Sequence, residues 1–176
     1  MTQYRRPVVP GATWFFTVVL AERNGNRLLV DKVDKLRTAF RTVRTSHPFQ
    51  IDAVVILPEH LHCIWTLPPG DSDFSTRWSL IKGNFSRAIE KGEYLSDSRQ
   101  RRGERGVWQR RFWEHLIRDD DDFSHHADYI HWNPVKHGWA RKVSEWPHSS
   151  YHSFLRRGIY EANWGEIGVA DIDAGE

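Results

Sequence analysis

Cysteine, long apolar runs and glycine-rich loops are what this sequence lacks. Its one cysteine, Cys63, excludes an internal disulfide framework and fits a reducing compartment. No apolar stretch approaches the roughly 18 residues that a membrane-spanning helix needs. The opening MTQYRRPVVPG carries no hydrophobic signal-peptide core. No glycine-rich nucleotide-binding loop occurs either. These absences lead us to expect a cytoplasmic protein with no membrane partner, whose chemistry does not draw on a nucleoside triphosphate.

The 176 residues are enough for a real core, and 39% hydrophobic with 27% charged residues marks a globular chain. One domain is expected over residues 1–160, followed by an acidic tail, 161–176. That tail holds Glu161, Glu166, Asp171, Asp173 and Glu176 and no Lys or Arg, so the formal net charge of +2 understates how basic the rest is. Arg99, Arg101, Arg102, Arg105, Arg110 and Arg111 lie close together, the footprint of a polyanion-binding surface or of a solvated basic face. Trp78, Trp108, Trp113, Trp132 and Trp139 sit beside basic residues. Aromatic faces interleaved with Arg suit unpaired bases, which stack at about 1–3 kcal/mol each. Most of these indoles should be core, with one or two left for stacking. The tail is either solvated or a competitor with nucleic acid for the basic surface.

Periodicity predicts a strand over Thr13 to Ala21, an amphipathic helix over Asp31 to Thr45, strands over Phe49 to Leu57 and His60 to Leu67, and a tight hairpin at Pro58-Glu59. A second helix carries Phe74, Trp78, Ile81, Phe85 and Ile89, capped by Ser72 or Asp73. Residues 92–107 read as one long loop, Phe112 to Arg118 as a fourth strand, and Phe123 to Asn133 as a third helix stopped by Pro134. The four carboxylates Asp119 to Asp122 suit the positive end of that helix's dipole. Ser149 to Arg157 reads as a last short helix. The β-α-β-β-α-β order is the split βαβ, ferredoxin-like pattern: an α+β fold with an antiparallel sheet, related to RRM domains, and helices on one face.

Strand parity separates the stretch HLHC. His60 and His62 share one face, Leu61 and Cys63 the other. If helices cover only the Leu61 face, the imidazoles lie on an open side, as solvated residues or as a two-nitrogen metal site. Cys63 has the wrong parity to join them. On the third helix Tyr129 and Asn133 are one turn apart on one face, with His125 on the same stripe and His131 off it. His115 reads as packing rather than ligation.

The HLH strand, followed by WQRRFWEH and then YIHWNPVKHG, resembles the HUH single-strand endonucleases (U being a hydrophobic residue). Within them it is similar to the single-tyrosine transposases and most resembles the REP-associated tyrosine transposases. The likeness runs from Tyr4 to about Trp164 and includes PGATWFFTVVL and WPHSSYHSF. It implies the ferredoxin-like sheet with the tyrosine helix packed near the HUH strand. It implies a metal pair at His60 and His62, completed by Asn133, a nucleophile at Tyr129, and Mg²⁺ or Mn²⁺ as the ion, although imidazole by itself favours Zn²⁺, Ni²⁺ or Cu²⁺. The implied ligand is single-stranded DNA near hairpins, in this subgroup the repetitive extragenic palindromes. A monomer or a homodimer is expected. Arg110, Arg111, Lys136 and His137 are candidate DNA contacts.

The expected reaction is strand cleavage and joining through a 5′-phosphotyrosine link. A phenol, with pKa near 10, is a weak nucleophile at neutral pH and needs positioning and a Lewis acid. Two alternatives stand beside it: an RRM-like single-strand-binding module without catalysis, and a zinc hydrolase that uses metal-bound water.

Overall fold

The computed structural model of the chain describes residues 7–165; Tyr4 and residues 166–176 of the acidic tail lie outside them. Four strands form the sheet: β1 (Thr13–Val19), β2 (Gln50–Ile56), β3 (His60–Thr66) and β4 (Trp113–Leu116). They pair antiparallel in the order β2-β3-β1-β4, which a split βαβ path produces. The helices are α1 (Leu28–Asp31), α2 (Val33–Ser46), α3 (Phe74–Ala88), α4 (Asp97–Arg101), α5 (Asp120–Lys136) and α6 (Tyr151–Arg156), with a 3-10 turn at Val143–Glu145.

The fold is α+β, as expected. The hairpin is as tight as its two residues suggest: Leu57 N–H donates to His60 O at 2.9 Å. Asp73, one of the two expected caps, accepts from Thr76 N–H at 2.9 Å and so satisfies a donor that α3 leaves open.

Parity sorts β1 and β3 between two cores. Trp14, Phe16 and Val18 join Leu61, Cys63 and Trp65 beneath α2 and α3, which contribute Leu36, Phe40, Val43, Trp78, Ile81 and Phe85. Trp65 lies at its centre, stacked on Trp78 with centroids 4.3 Å apart. The other face carries Phe15, Ala53, Val55 and Ile64, and it is not open. Ala127, Tyr129 and Ile130 of α5 pack onto it, with Trp146 and Phe154 beside them. The two helices of the split βαβ unit do lie on one face; the third roofs the histidine face. The reason is apolar surface: β1 reads TWFFTVV, and Phe15 and Val19 share their face only with Thr13 and Thr17, so both of its faces need cover.

Three local expectations are corrected. Helix α5 begins at Asp120, not Phe123, because Asp119 caps it by accepting from Asp122 N–H at 2.8 Å. It does not stop at Pro134. Proline forfeits only its own N–H, and the ladder resumes when His137 N–H donates to Asn133 O at 3.0 Å. The extra turn carries Lys136 and His137 with the helix. Third, the long loop 92–107 holds α4 and is pinned by two of its own arginines. Arg99 donates to the carbonyls of Arg105 and Trp108, and Arg105 pairs with Glu93 and donates to the carbonyl of Glu90.

The free edge of β2 is closed by the 146–150 segment. Ser150 N–H donates to Val54 O, Ile56 N–H to His148 O, and Val54 N–H to Ser150 Oγ. Covering an edge in this way removes a template for unwanted strand pairing. No helix of the described residues is long and apolar enough to cross a membrane.

Candidate active site

The histidine face and the roofing helix meet at one place. His60 opens β3 opposite Val19, and His62 lies opposite Thr17. Both imidazoles are buried, at 4% and 0% exposure, with ring centroids 4.8 Å apart. They are therefore not solvated residues. Tyr129 comes down from α5 with its ring 5.2 Å from that of His62, edge to face. One turn further, Asn133 is wholly buried. The turn added beyond Pro134 brings His137 to 5.3 Å from His60, ring to ring, and sets Lys136 Nζ 4.8 Å over the Tyr129 ring. Tyr129, His60, His62, Asn133, Lys136 and His137 are thus one cluster, supplied by one chain.

Each imidazole is held through Nδ1. Glu59 Oε1 lies 3.0 Å from His60 Nδ1, and Thr17 Oγ1 lies 2.9 Å from His62 Nδ1. An acceptor on Nδ1 leaves Nε2 with the lone pair that a metal or a proton takes. Burial opposes charge on the Glu59 carboxyl, but the hydrogen bond and charge of His60, with help from Arg23, outweigh it and bring its pKa down to about 2. His62 is held well below the ordinary histidine value, first by burial and then by the charges of His60, His137 and Lys136; Asn133 opposes this. His62 is therefore neutral near pH 7. The Asn133 amide touches the His62 ring strongly enough to temper that shift, yet neither its oxygen nor its nitrogen has a well-formed hydrogen bond.

Thr17 and Glu59 were not among the residues expected to act. Glu59 could have been found, since it precedes His60 in a two-residue turn. Thr17 could not, because only strand register sets it opposite His62. Phe15 is a third, packing against both His62 (5.6 Å) and Tyr129 (6.1 Å).

The other candidates scatter. Arg110 and Arg111 are exposed at the entry to β4, and Arg110 pairs with Glu104 Oε2 at 2.8 Å. His125, expected on the tyrosine stripe, is exposed; His126 is the one turned inward, against Phe15. Cys63 is buried in the opposite core, where burial pushes its thiol pKa up. His115 does pack, but with a partner: Asp122 lies 2.9 Å from its Nε2 and 3.1 Å from His126 Nδ1, and also takes Arg118 Nε. The ligand atoms of His115, Asp122 and His126 lie within 4.8 Å of one another, a polar clasp that fastens β4 to the first turn of α5.

The chain is similar along its whole length to known proteins. A REP-associated tyrosine transposase of Escherichia coli (strain K12) is 48% identical over 176 residues, covering 100% of this chain and 98% of that protein. A Haemophilus influenzae relative, 42% identical over 166 residues and 94% of each chain, carries the same description in provisional form. Among solved structures, a REP-associated tyrosine transposase bound to a REP hairpin superposes with a TM-score of 0.84 at 48% identity, covering 100% of this chain and 98% of that one. No family model matches.

Proposed function

The chain belongs to the REP-associated tyrosine transposases, and from that premise we propose that it cuts and rejoins single-stranded DNA beside palindromic hairpins, with Tyr129 as the nucleophile. The observation that carries this reading is the convergence of the Tyr129 ring, 5.2 Å from His62, with His60 and Asn133 on the one face of the sheet that α5 roofs. As a DNA-handling transposase the chain acts as an enzyme.

The reaction balances without an external energy source. The Tyr129 oxygen attacks the scissile phosphorus and the bond from phosphorus to the 3′ oxygen breaks. The DNA 5′ phosphate becomes a tyrosine ester, and the 3′ oxygen takes up a proton. One phosphoester replaces another, so the step is close to thermoneutral and reverses when a new 3′ hydroxyl enters. The Lys136 ammonium lies over the ring, a cation–π contact that keeps a positive charge beside the nucleophile, where the phosphate would arrive. His137, exposed beside His60, is placed to meet the phosphate. Tyr129 is only 1% exposed, so a strand reaches it after covering side chains move, Lys136 among them.

The residues fit a divalent cation; two imidazoles by themselves favour Zn²⁺, Ni²⁺ or Cu²⁺, and the reading of the ion as Mg²⁺ or Mn²⁺ rests on the family resemblance. His60 and His62 have their Nδ1 atoms engaged, His62 is neutral, and the Asn133 amide oxygen is buried without a well-formed hydrogen bond. These three would hold the ion. When bound, it supplies charge neutralisation to the phosphate and to the departing oxygen. All three ligands are neutral, so apart from the Glu59 carboxylate behind His60 the ion's charge is left for the phosphate. The cluster comes from one chain, so a monomer is competent for cleavage.

The test is incubation with a hairpin oligonucleotide carrying single-stranded flanks, in Mn²⁺, followed by a denaturing gel. Native protein is expected to form a covalent adduct and Tyr129→Phe none. Absence of an adduct with native protein, or an equal adduct with the Phe variant, overturns the mechanism and favours a binding module without chemistry.

A further inference from the structure

All nine tryptophans lie among the described residues, and two of them, Trp113 at 37% and Trp139 at 43%, are exposed. An indole left in water costs apolar hydration unless something covers it in use. Both flank the active site. Trp113 stands on the edge strand β4, opposite Thr17, which is itself opposite His62. The three lie in one row on the face beneath α5. Two strand spacings put Trp113 about 10 Å from His62. Its ring lies nearly parallel to that of His115 (7°, 5.9 Å) and takes the edge of Phe15 (74°, 5.6 Å). Trp139 lies beyond the His60 end of the pair. It follows His137 by two residues, and its N–H donates to Pro134 O at 2.8 Å, which sets its backbone. The Arg27 guanidinium stands 5.9 Å from its ring.

A supported aromatic plane, reachable from water and within a few nucleotides of a phosphate-handling centre, is what a strand with unpaired bases requires. Stacking is indifferent to base identity, because every base has a π face. A cation beside the plane, as Arg27 stands beside Trp139 while pairing with Asp31 at 3.7 Å, is a group that a strand's phosphate would meet. Resting on the reading of the site as a single-strand nuclease, we propose that Trp113 and Trp139 are base-stacking platforms that seat unpaired nucleotides on either side of the scissile phosphate. The distance limits the reach of Trp113: about 10 Å corresponds to about three nucleotides at the 3.4 Å stacked rise, and fewer if the strand is extended.

The experiment measures binding of native protein, Trp113→Ala, Trp139→Ala and the two Trp→Phe variants to the hairpin oligonucleotide by fluorescence anisotropy. Each is repeated with single abasic sites at the three positions on each side of the cleavage point. Each Ala variant is expected to weaken binding about 5- to 100-fold, with most of the loss restored by Phe. The penalty is expected to vanish when the partner base is missing, at one position for Trp113 and another for Trp139. A penalty below twofold, or one equal on every abasic strand, overturns the proposal; the latter, with a loss of dimer in sedimentation, would instead mark a protein-contact face. Adduct formation separates the two readings. An adduct with no position-specific tryptophan effect refutes the platforms alone. Coupling without an adduct supports the platforms and refutes the nuclease.

Discussion

Replacing Tyr160 by Phe removes one oxygen from a chain of hydrogen bonds whose direction is set throughout. Tyr160 O–H donates to Asp128 Oδ1 at 2.6 Å, so toward His131 the same oxygen accepts, from Nδ1–H at 2.9 Å. His131 Nε2 then accepts from Ser150 Oγ–H at 2.8 Å, and Ser150 Oγ accepts from Val54 N–H at 2.8 Å. The chain ties α5 to the 150–160 segment and to the β2 edge, on the side of the helix away from Tyr129. His131 is fully buried, and burial first, with the charge of His152, brings its pKa down to about 3, so it stays neutral. In Tyr160→Phe the His131 Nδ1–H keeps no acceptor in the interior, which costs about 1–3 kcal/mol. Asp128 loses a donor too, but it is partly exposed and water can replace the hydroxyl. The expected loss is therefore about 1–3 kcal/mol, or roughly 3–9 °C in Tm for a chain of this length. Thermal melts followed by circular dichroism measure it, with Tyr94→Phe as the control, since Tyr94 is 88% exposed. A Tyr160→Phe melt within 2 °C of the native one would show that the chain of hydrogen bonds does not hold the helix.

Acid should weaken the same region. The unfolded chain takes a proton on His131 near pH 6.5 while the folded protein resists until about pH 3. Its contribution is present above pH 6.5 and falls by up to about 1.4 kcal/mol per pH unit across that window. Urea titrations of native protein and His131→Asn measure it; identical pH dependence in both would remove His131 from the account. Chelation by EDTA is expected to abolish the Mn²⁺-supported adduct of native protein and added Mn²⁺ to restore it, while an adduct indifferent to EDTA would exclude the metal. Arg111→Ala should reduce the slope of log affinity against log salt by about one and leave the melt unchanged. Arg99→Ala should instead lower stability by about 1–3 kcal/mol, because the Arg105 and Trp108 carbonyls lose their donor; matching effects of the two variants on DNA binding would contradict the division.

That division shows where the sequence stops being informative. Arg99, Arg105, Arg110 and Arg111 are alike as letters, yet Arg99 and Arg105 turn into their own loop, Arg110 lies exposed against that loop on Glu104 and Ser98, and Arg111 faces water. The difference lies in where carbonyls happen to come. Local periods were legible from residue spacing alone. Parity put His60 and His62 on one face and Leu61 and Cys63 on the other, and the one-turn spacing put Tyr129 and Asn133 on one side of a helix. Both follow from the geometry of a single element, which a run of a few residues carries. Which face of the sheet the third helix would roof was not legible from spacing and came only from the family resemblance; that the helix would run on past Pro134 and bring His137 and Lys136 to the pair was not legible at all. Thr17 and His62 are 45 residues apart and meet only through strand register. Tyr160 reaches His131 across 29 residues, through packing that no period announces. Spacing along the chain decides the direction in which a side chain points; what stands opposite it depends on which distant surfaces most need to be buried, and only the folded protein resolves that competition.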